Sequence, residues 1–394
     1  MKVIPEAELC GQVAHTSALR FPIKVVRLIT GLEIGGAELG LRDNIRYFDR
    51  TKFSFVVICL YNNGSVGRQI EKLGIPVIDM RMRSFGDPAG LLRLCRTLKE
   101  LKPDVLHTHL FRANVWGRLM GAMLSIPVVI SSEHSLTQND LAGYRRTRLL
   151  SIIDYCTALC CDRIIAVSEA TKKRLLEAGI PERKIEVILN AVETELYERE
   201  ENGDSIRKEF GLENAKVVTI VARLVGFKNH ALLIEAFAGV VQRLPEAKLL
   251  IVGSGPLENE LRARAEAAIP GSAIFAGNRD DIPAVMAASD IVLLSSNNEP
   301  FGKVLVEAMA SGKPVIGTAV DGIPEVIGTE SGILVPRGDA PALADAIFRL
   351  LSDAELAAAM GQAGRKRARE KFNVRGAVRR MEELYIELLE SANG

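Results

Sequence analysis

Residues 299–325 read EPFGKVLVEAMASGKPVIGTAVDGIPE, and the pattern around this stretch decides how the second half of the chain folds. The apolar run before it predicts a buried strand over Asp290–Ser295. Residues 297–302 contain proline and glycine and predict a turn. Lys303–Ala310 then predicts a short helix, and Val315–Thr318 predicts the next strand. Strand, turn, helix and strand in this order are typical of a parallel α/β sheet.

Two glutamates in this stretch, Glu299 and Glu307, are separated by seven residues. Ligands of open parallel sheets bind at the carboxyl ends of the strands, where Glu299 is expected. Gly302 removes a side chain where a ligand would approach the backbone. The free amides of the following helix suit an anion such as a phosphate. Glu307 comes about one helical turn later, within reach of the same pocket.

The composition is that of an ordinary soluble protein, and 394 residues are enough for two or three domains. A formal net charge of +1 gives no general affinity for nucleic acid. Six cysteines without a CxxC pair indicate a reduced, cytoplasmic protein, in which we expect Cys156, Cys160 and Cys161 to be buried. No apolar run reaches the ~18 residues of a membrane span.

Strand and helix patterns alternate through most of the chain, which predicts two parallel-sheet domains with right-handed crossovers. The first domain is expected over residues 23–192 and the second over residues 205–372. A polar segment, residues 193–204, is predicted to be the hinge or linker between them. Residues 1–22 lack the apolar core of a signal peptide and are expected to form an extension. A last helix is predicted over residues 375–391.

Gly35-Gly36 follows the first predicted strand and opens a helix. Paired glycines in such a turn expose backbone amides to a phosphate, although a tight turn without a ligand has the same pattern. Gly253-Ser254-Gly255 is similar but lacks the third glycine of a dinucleotide fingerprint, so we interpret it as structural.

Arg223 and Lys228 follow the first strand of the second domain and precede a helix. A planar guanidinium and a compact ammonium at a strand's carboxyl end are suited to neutralising a diphosphate. The alternative is that both are solvated loop cations. Their position in the loop between strand and helix favours the diphosphate.

His107 and His109 end a predicted strand, and both side chains share one face if the strand continues. His134, at the end of the next strand, is the third ligand that a metal would need, but hydrogen bonding to substrate is the more natural role for such histidines. We expect His107 to be structural and expect no metal. Residues 144–148 open a cationic amphipathic helix that fits either contact with acidic lipid headgroups or a solvated helix start.

The residue types leave the roles of the two glutamates open. Glu299 is a candidate general base, nucleophile or acceptor of hydroxyl hydrogen bonds. Glu307 is a candidate ligand of a diol, because a carboxylate accepts two parallel hydroxyl bonds. The alternative is that Glu307 is a helix-surface residue or a residue near the helix N-terminus that interacts with the helix dipole.

Together these motifs resemble the retaining glycosyltransferases of family 4, which have the GT-B fold of two Rossmann-like domains facing each other across a cleft. The stretch EPFGKVLVEAMASGKPVIGT resembles the E-x7-E motif of that family. GGAE, DVLHTH, SSEH, VARLVGFKN and LLIVGSGP occur in the expected order. The resemblance covers roughly residues 25–372. It implies transfer of a hexosyl or N-acetylhexosaminyl group from a nucleotide-diphospho-sugar, most simply a UDP-sugar.

The resemblance also implies roles for individual residues. Arg223 and Lys228 would hold the donor diphosphate, and Glu299 would bind hydroxyls of the transferred sugar. Glu307 would accept the ribose hydroxyls, and His109 would lie beside the reacting centre. The remaining implied substrate-binding residues are Gly35, Gly36, His134, Asn278, Arg279, Phe301, Gly302, Lys303 and Val304. The last helix would cross back onto the first domain, as in this fold.

The implied reaction retains the configuration of the sugar and needs no metal, since no Asp-x-Asp signature follows a strand. No cofactor is expected. The acceptor would be a saccharide, a lipid-linked sugar or a small molecule in polysaccharide, lipopolysaccharide or glycolipid synthesis, and the protein would be cytoplasmic or peripheral at the inner membrane face. The alternatives are a UDP-N-acetylglucosamine 2-epimerase-like isomerase and a non-catalytic nucleotide-sugar-binding protein. An oxidoreductase is disfavoured by the lack of a GxGxxG sequence followed by an acidic residue.

Overall fold

A computed structural model describes residues 19–134, 148–198 and 203–393. Two separate parallel sheets run through these residues, one in each half of the chain. Buried apolar strands with helices between them produce this architecture, because a parallel sheet must be covered on both faces. The predicted α/β fold of two Rossmann-like domains is therefore confirmed.

The first sheet has the strand order β3-β2-β1-β4-β5-β6-β7. Its strands are β1 Ile23–Ile29, β2 Phe53–Cys59, β3 Val77–Asp79, β4 Val105–His109, β5 Val128–Glu133, β6 Arg163–Ala166 and β7 Ile185–Val187. The helices of this half are α1 Gly36–Tyr47, α2 Gly64–Lys72, α3 Pro88–Leu101, α4 Phe111–Met123, α5 Arg148–Ala158 and α6 Glu169–Glu177. Strand β4 continues two residues beyond its predicted end at His107, so that His107 and His109 share one face.

The chain passes between the two halves at two adjacent points. Val192 and Asn373 form an isolated parallel bridge, in which the amide of Val192 donates to Phe372 and the amide of Val374 donates to Val192. The predicted linker contains a short helix, α7 Thr194–Glu198, that its polar composition did not indicate. This helix forms because Tyr197 packs against the apolar core of the second half.

The second sheet has the order β10-β9-β8-β11-β12-β13. Its strands are β8 Lys216–Val221, β9 Ala247–Val252, β10 Ala273–Gly277, β11 Ile291–Leu294, β12 Val315–Thr318 and β13 Gly332–Val335. The helices that follow α7 are α8 Asp204–Phe210, α9 His230–Arg243, α10 Glu258–Ala268, α11 Ile282–Ala288, α12 Lys303–Ala310, α13 Ile323–Ile327, α14 Ala340–Ser352, α15 Ala354–Lys371 and α16 Val374–Asn393. Helix α12 has the bounds that the sequence predicts.

Helix α16 packs on the first half of the chain although it follows the second half in sequence. Its apolar residues Met381, Leu384 and Tyr385 are part of the same buried cluster as β1 and β2. Stacking of the Tyr385 ring on Phe48 at 5.8 Å, with the rings nearly parallel, contributes to this contact. The last helix therefore couples the two halves covalently and by packing.

The cysteines near α5 differ in exposure. Cys161 is buried, but Cys156 and Cys160 are exposed, so their predicted burial is wrong. Cys156 lies on the side of α5 that faces outward, as the exposed side chains of Leu149 and Ile152 show, and Cys160 lies in the turn after this helix. The membrane-contact hypothesis rests on residues 144–148, and residues 135–147 lie outside the described part of the chain. Within the described part, no helix combines the length and apolarity needed to cross a membrane.

The turn between β11 and α12 is held by close contact with the start of α13. The amide of Gly322 donates to the carbonyl of Glu299 at 3.0 Å. A Cβ atom at Gly322 would lie 2.2 Å from the carbonyl oxygen of Pro300, which is far inside van der Waals contact. Glycine is therefore required here by close approach, since its φ of −83° suits any residue.

We predict that Gly322→Ala lowers the free energy of unfolding by about 1–3 kcal/mol, because the turn must move to accept the new methyl group. Denaturant titration measures this change. Gly376→Ala is the matched control: it lies in a helix with no heavy atom within 4 Å of its added Cβ, and helix propensity predicts a gain of up to about 1 kcal/mol. Equal stability of the two variants would contradict the packing argument.

Candidate functional site

Each sheet has a point where the strand order reverses, and the loops at these points carry the predicted site residues. In the first sheet, β1 and β4 are neighbours, and they lead into Gly35-Gly36 and end at His109 respectively. In the second sheet, β8 and β11 are neighbours, and they lead into the loop of Arg223 and Lys228 and into Glu299. Crevices at such points are the usual ligand sites of open α/β sheets.

Lys228 and Glu299 form an ion pair that joins the two loops of the second sheet. The two side chains are 17% and 10% exposed, so the pair is largely shielded from water. The Ser296 hydroxyl donates to the same Glu299 oxygen at 3.2 Å. Arg223, in the same loop as Lys228, is exposed. The loop thus offers one cation that is held in place and one that is free to approach a ligand.

Asp321 fixes the backbone of the Glu299 turn from the other side. Its Oδ2 atom accepts hydrogen bonds from the Glu299 amide at 3.0 Å and from the Asn298 side chain at 2.7 Å. Asp321 has a φ of 44°, in the left-handed region, which Asp and Asn tolerate better than most residues. Arg174 of the first half reaches its Oδ1 atom at 3.3 Å.

The start of α12 leaves its amides without a side-chain cap. Gly302 has a φ of 91°, which only glycine adopts readily, and it places Lys303 at the first helical position. The side chain of Phe301 is buried against Phe372 at 5.5 Å, and Val304 packs on the core of the second half. Phe301 and Val304 can therefore meet a ligand chiefly through their backbones.

Glu307 is only 12% exposed, so its alternative interpretation as a helix-surface residue is wrong. Burial raises the pKa of its carboxyl, and Lys303, 3.9 Å away, opposes the shift. The pKa of the Tyr197 phenol is raised well above its usual value by burial and by the nearby Glu307 carboxylate. The Glu307 side chain therefore faces the short helix α7 from α12.

Lys303 connects the two halves of the chain. Its Nζ atom lies 2.9 Å from Oδ2 of Asp43, which is on α1. Burial alone would raise the pKa of Asp43, but Lys303 and Arg42 together lower it below the ordinary value. Gly35 precedes the first residue of α1, and no side chain caps this helix start. A Cβ atom added at Gly36 would meet no other atom within 4 Å, so the space beside it is open. The start of α12 therefore contacts α1 through Lys303 and Asp43.

Three histidines lie together at the carboxyl end of the first sheet. The ring of His109 stacks on His107 at 4.4 Å and on His134 at 5.5 Å, and its Nδ1 atom is 3.2 Å from Nε2 of His134. Burial, then the charge of Arg27, lowers the pKa of His107 and His109 well below the usual range and that of His134 to about 4. All three rings are therefore neutral. Among residues 19–134, 148–198 and 203–393, no group of three His, Cys, Asp or Glu side chains is arranged to hold a metal ion.

The remaining predicted residues lie at the edge of the second sheet. Asn278 is exposed. The Arg279 guanidinium is held by Glu209 and Asp281 at 2.7–2.9 Å, so this position can offer a ligand its backbone rather than its side chain. Gly253 and Gly255 pack against the carbonyls of Ala222 and Leu224, and this contact supports their interpretation as a structural turn that braces the Arg223 loop.

Four residues at these sites were not found from the sequence: Arg27, Asp43, Tyr197 and Asp321. Arg27 carried a signal, because it is the one charge inside the apolar run Val25–Ile29. Asp321 also carried a signal, as half of an Asp-Gly turn pair in the quoted stretch. Asp43 and Tyr197 carried none, since nothing local distinguishes them from other polar or amphipathic helix residues.

Comparison with known protein families accounts for both halves of the chain. Residues 34–196 match "Glycosyltransferase Family 4", and residues 202–367 match "Glycosyl transferases group 1". The chain is 34% identical over 231 residues to N-acetyl-alpha-D-glucosaminyl L-malate synthase of Bacillus anthracis, an alignment that spans 58% of this chain and 60% of that protein.

Two further similarities extend over nearly the whole chain. It is 30% identical over 402 residues to the D-inositol 3-phosphate glycosyltransferase of Corynebacterium efficiens, covering 95% of this chain and 93% of that one. The crystal structure of Anabaena HepE in complex with UDP-glucose superposes with a TM-score of 0.82 at 25% identity, covering 93% of this chain and all of that one. With one parallel sheet in each half and relatives that match nearly the whole chain, the chain is a GT-B glycosyltransferase and belongs to glycosyltransferase family 4.

Proposed function

We propose that this glycosyltransferase takes a hexosyl or N-acetylhexosaminyl group from a UDP-sugar and transfers it, with retention of configuration and without a metal ion, to an acceptor hydroxyl. The observation that carries the proposal is the Lys228–Glu299 ion pair beside the uncapped start of α12. A fixed cation, a carboxylate and free backbone amides at one crevice match the phosphates and hydroxyls of a sugar nucleotide.

The chemistry follows from where charge develops. When the bond between the anomeric carbon and the β-phosphate oxygen breaks, negative charge grows on the phosphate. Lys228, which its ion pair holds in place, and the amides at Gly302 lower the barrier because they are oriented before the reaction, and Arg223 adds a second positive charge from the same loop. The anomeric carbon gains oxocarbenium character as the leaving group departs.

In the proposed mechanism, the acceptor oxygen attacks the anomeric carbon from the face that the phosphate leaves. One carbon–oxygen bond forms, one breaks, and the acceptor proton passes to a β-phosphate oxygen of the departing UDP. Glu299 then positions the sugar hydroxyls and is not a nucleophile. Glu307 accepts the ribose hydroxyls at the buried end of the site.

The names of similar proteins support this donor and leave several acceptors open. The Anabaena structure contains UDP-glucose, and one relative is named for N-acetylglucosaminyl transfer to L-malate. Another is named for D-inositol 3-phosphate. We propose an acceptor in glycoconjugate biosynthesis and a cytoplasmic enzyme that contacts the inner membrane surface at most peripherally.

The test of the donor is a thermal-shift screen of UDP- and GDP-sugars. A ligand at 100 times its Kd stabilises the folded state by about 2.7 kcal/mol, so the correct donor raises the Tm. We expect UDP and one UDP-sugar to raise the Tm and GDP-sugars to leave it unchanged. A response to GDP-sugars alone would contradict the proposed donor. UDP-N-acetylglucosamine consumed without an acceptor to give its 2-epimer would favour the isomerase.

We predict that Lys228→Ala and Arg223→Ala each reduce kcat by orders of magnitude, because each removes charge stabilisation of the leaving phosphate. Donor turnover by the purified variants measures the effect. Lys248→Ala is the control, since its Nζ atom only caps the carbonyl of Gly271 at the far end of β9. EDTA should leave turnover intact. Near-normal turnover in both variants, or a strict requirement for a divalent metal, would overturn the mechanism.

Asp321 provides a test of how the Glu299 turn is positioned. Asp321→Ala leaves the buried Glu299 amide without its acceptor, and we expect UDP-sugar affinity to fall by about tenfold. Asp321→Asn keeps an acceptor oxygen and tolerates the left-handed backbone, so its loss should be clearly smaller. Isothermal titration compares the two variants. If they lose affinity equally, the carboxylate acts through its charge and not through this hydrogen bond.

A further inference from the structure

Charged side chains from both halves of the chain meet beside Glu307. Lys303, the first residue of α12, lies between two carboxylates: its Nζ atom is 2.9 Å from Oδ2 of Asp43 and 3.9 Å from Oε1 of Glu307. The first distance is a hydrogen bond and the second is too long for one. Lys303 therefore binds the carboxylate of the opposite half of the chain, although Glu307 is one turn along its own helix.

Asp43 is held in place by its own half of the chain. Its Oδ1 atom accepts a hydrogen bond from Nε of Arg42 at 2.7 Å, while its Oδ2 atom accepts from Lys303. Arg42 also donates to the side chain of Gln69 on α2. Burial opposes ionisation of Asp43, but Lys303 and Arg42 lower the pKa of its carboxyl below the ordinary value. The first half therefore directs a fixed and ionised carboxylate at the start of α12.

The Glu307 carboxylate keeps acceptor capacity in this arrangement. The Tyr197 phenol donates a hydrogen bond to it. A carboxylate has about four acceptor positions, so this bond leaves room for the two neighbouring hydroxyls of a ribose. An ammonium at hydrogen-bond distance would compete with those hydroxyls, because a charged donor binds a carboxylate more strongly than a neutral one does. The position of the Lys303 side chain therefore decides how well Glu307 can bind a diol.

We propose that Asp43 is a positioning residue for the nucleoside of the donor. By binding Lys303, it keeps the ammonium off the Glu307 carboxylate and leaves that carboxylate to the ribose hydroxyls. The ribose site is then complete only when α1 of the first half contacts α12 of the second half. This inference rests on the proposed function, in which Glu307 accepts the ribose hydroxyls, and it adds a residue of the opposite half to that site.

Ribose recognition is measured by comparing UDP with 2′-deoxy-UDP in isothermal titrations of the full-length protein. The two probes differ by one hydroxyl, so the ratio of their Kd values reports how strongly that hydroxyl is bound. A hydrogen bond to a charged acceptor predicts that the wild type binds UDP about tenfold more tightly than 2′-deoxy-UDP. Glu307→Gln should reduce this ratio, and it provides the value expected when the carboxylate is lost.

Asp43→Ala should reduce the same ratio, because Lys303 is then released to pair with Glu307. We expect the affinity for UDP to fall by about tenfold and that for 2′-deoxy-UDP to change by less than about twofold. Asp43→Asn keeps the shape and one acceptor oxygen but loses the charge, so its ratio should lie between those of the wild type and Asp43→Ala. If the ion pair only holds the halves together, or if Lys303 serves only the phosphates, both nucleotides weaken by the same factor, and the unchanged ratio overturns the proposal.

Glu193→Gln is the matched control. Glu193 accepts a hydrogen bond from Arg46 of α1 at 3.0 Å, so this pair also joins α1 to the segment between the halves, but it does not include Lys303. The ratio of the two Kd values should therefore stay at the wild-type value. A fall of the ratio as large as that of Asp43→Ala would mean that any loosening of α1 has the same effect, and it would contradict the proposal.

Lys303→Met tests the route by which Asp43 acts. With the ammonium removed, Asp43→Ala should cause no further change in the ratio, because two residues that act through one contact are not additive. An equal fall of the ratio with and without Lys303 would show that Asp43 acts by another route, and the proposal would be wrong. If Lys303→Met binds nucleotide too weakly to titrate, the ratios of the Asp43 variants and of Glu193→Gln decide.

The same titrations separate this inference from the proposed function. If the wild type prefers UDP to 2′-deoxy-UDP and Asp43→Ala keeps that preference, the proposed donor stands and only the role of Asp43 is wrong. If the protein binds GDP and not UDP, the proposed donor is wrong. GDP and 2′-deoxy-GDP then test Asp43 in the same way, because the ribose is the same. Equal Kd values for the two nucleotides in the wild type would overturn both the ribose role of Glu307 and the role of Asp43.

Discussion

The ion pair between Lys228 and Glu299 ties together the two loops on which the candidate donor site depends. Both residues lie in short connections between a strand and a helix, so contact between the two side chains helps to fix both connections. Removing an ion pair from water often costs as much free energy as the attraction between the charges returns. The Lys228–Glu299 pair is therefore not expected to add much to the stability of the fold. In the proposed mechanism, the oriented ammonium meets the donor phosphate without rearrangement.

The site of the second half is completed by the first half. Lys303 reaches Asp43 on α1, and the hydroxyl of Ser168 donates to the carbonyl of Pro300 at 2.7 Å. Tyr197, from the segment between the halves, lies beside Glu307. Any rotation of one half against the other must change these contacts together. Opening the cleft is therefore coupled to the surroundings of both glutamates, and the adjacent crossings at Val192 and Asn373 keep the two halves aligned.

The histidine cluster shows a different use of charge. Arg27 lies where β1 would otherwise be an uninterrupted apolar strand, and aromatic rings and neutral histidines surround it. Burial in these surroundings lowers the pKa of His109 well below its usual range, so its ring is neutral. The first half thus carries neutral imidazoles at the carboxyl end of its sheet, while the second half carries cations and uncapped amides at the end of its own.

The sequence by itself determined the order of strands and helices, because period-two and period-3.6 patterns and turn residues are local properties. It also placed Glu299 and Gly302 at a strand end and a helix start, and the structure has them there. Tertiary packing decided which side chains meet across long sequence distances: Asp321 under Glu299, Asp43 against Lys303, and Tyr197 beside Glu307. It also decided that Cys156 is exposed, since which face of a helix is covered depends on its neighbours and not on its own periodicity.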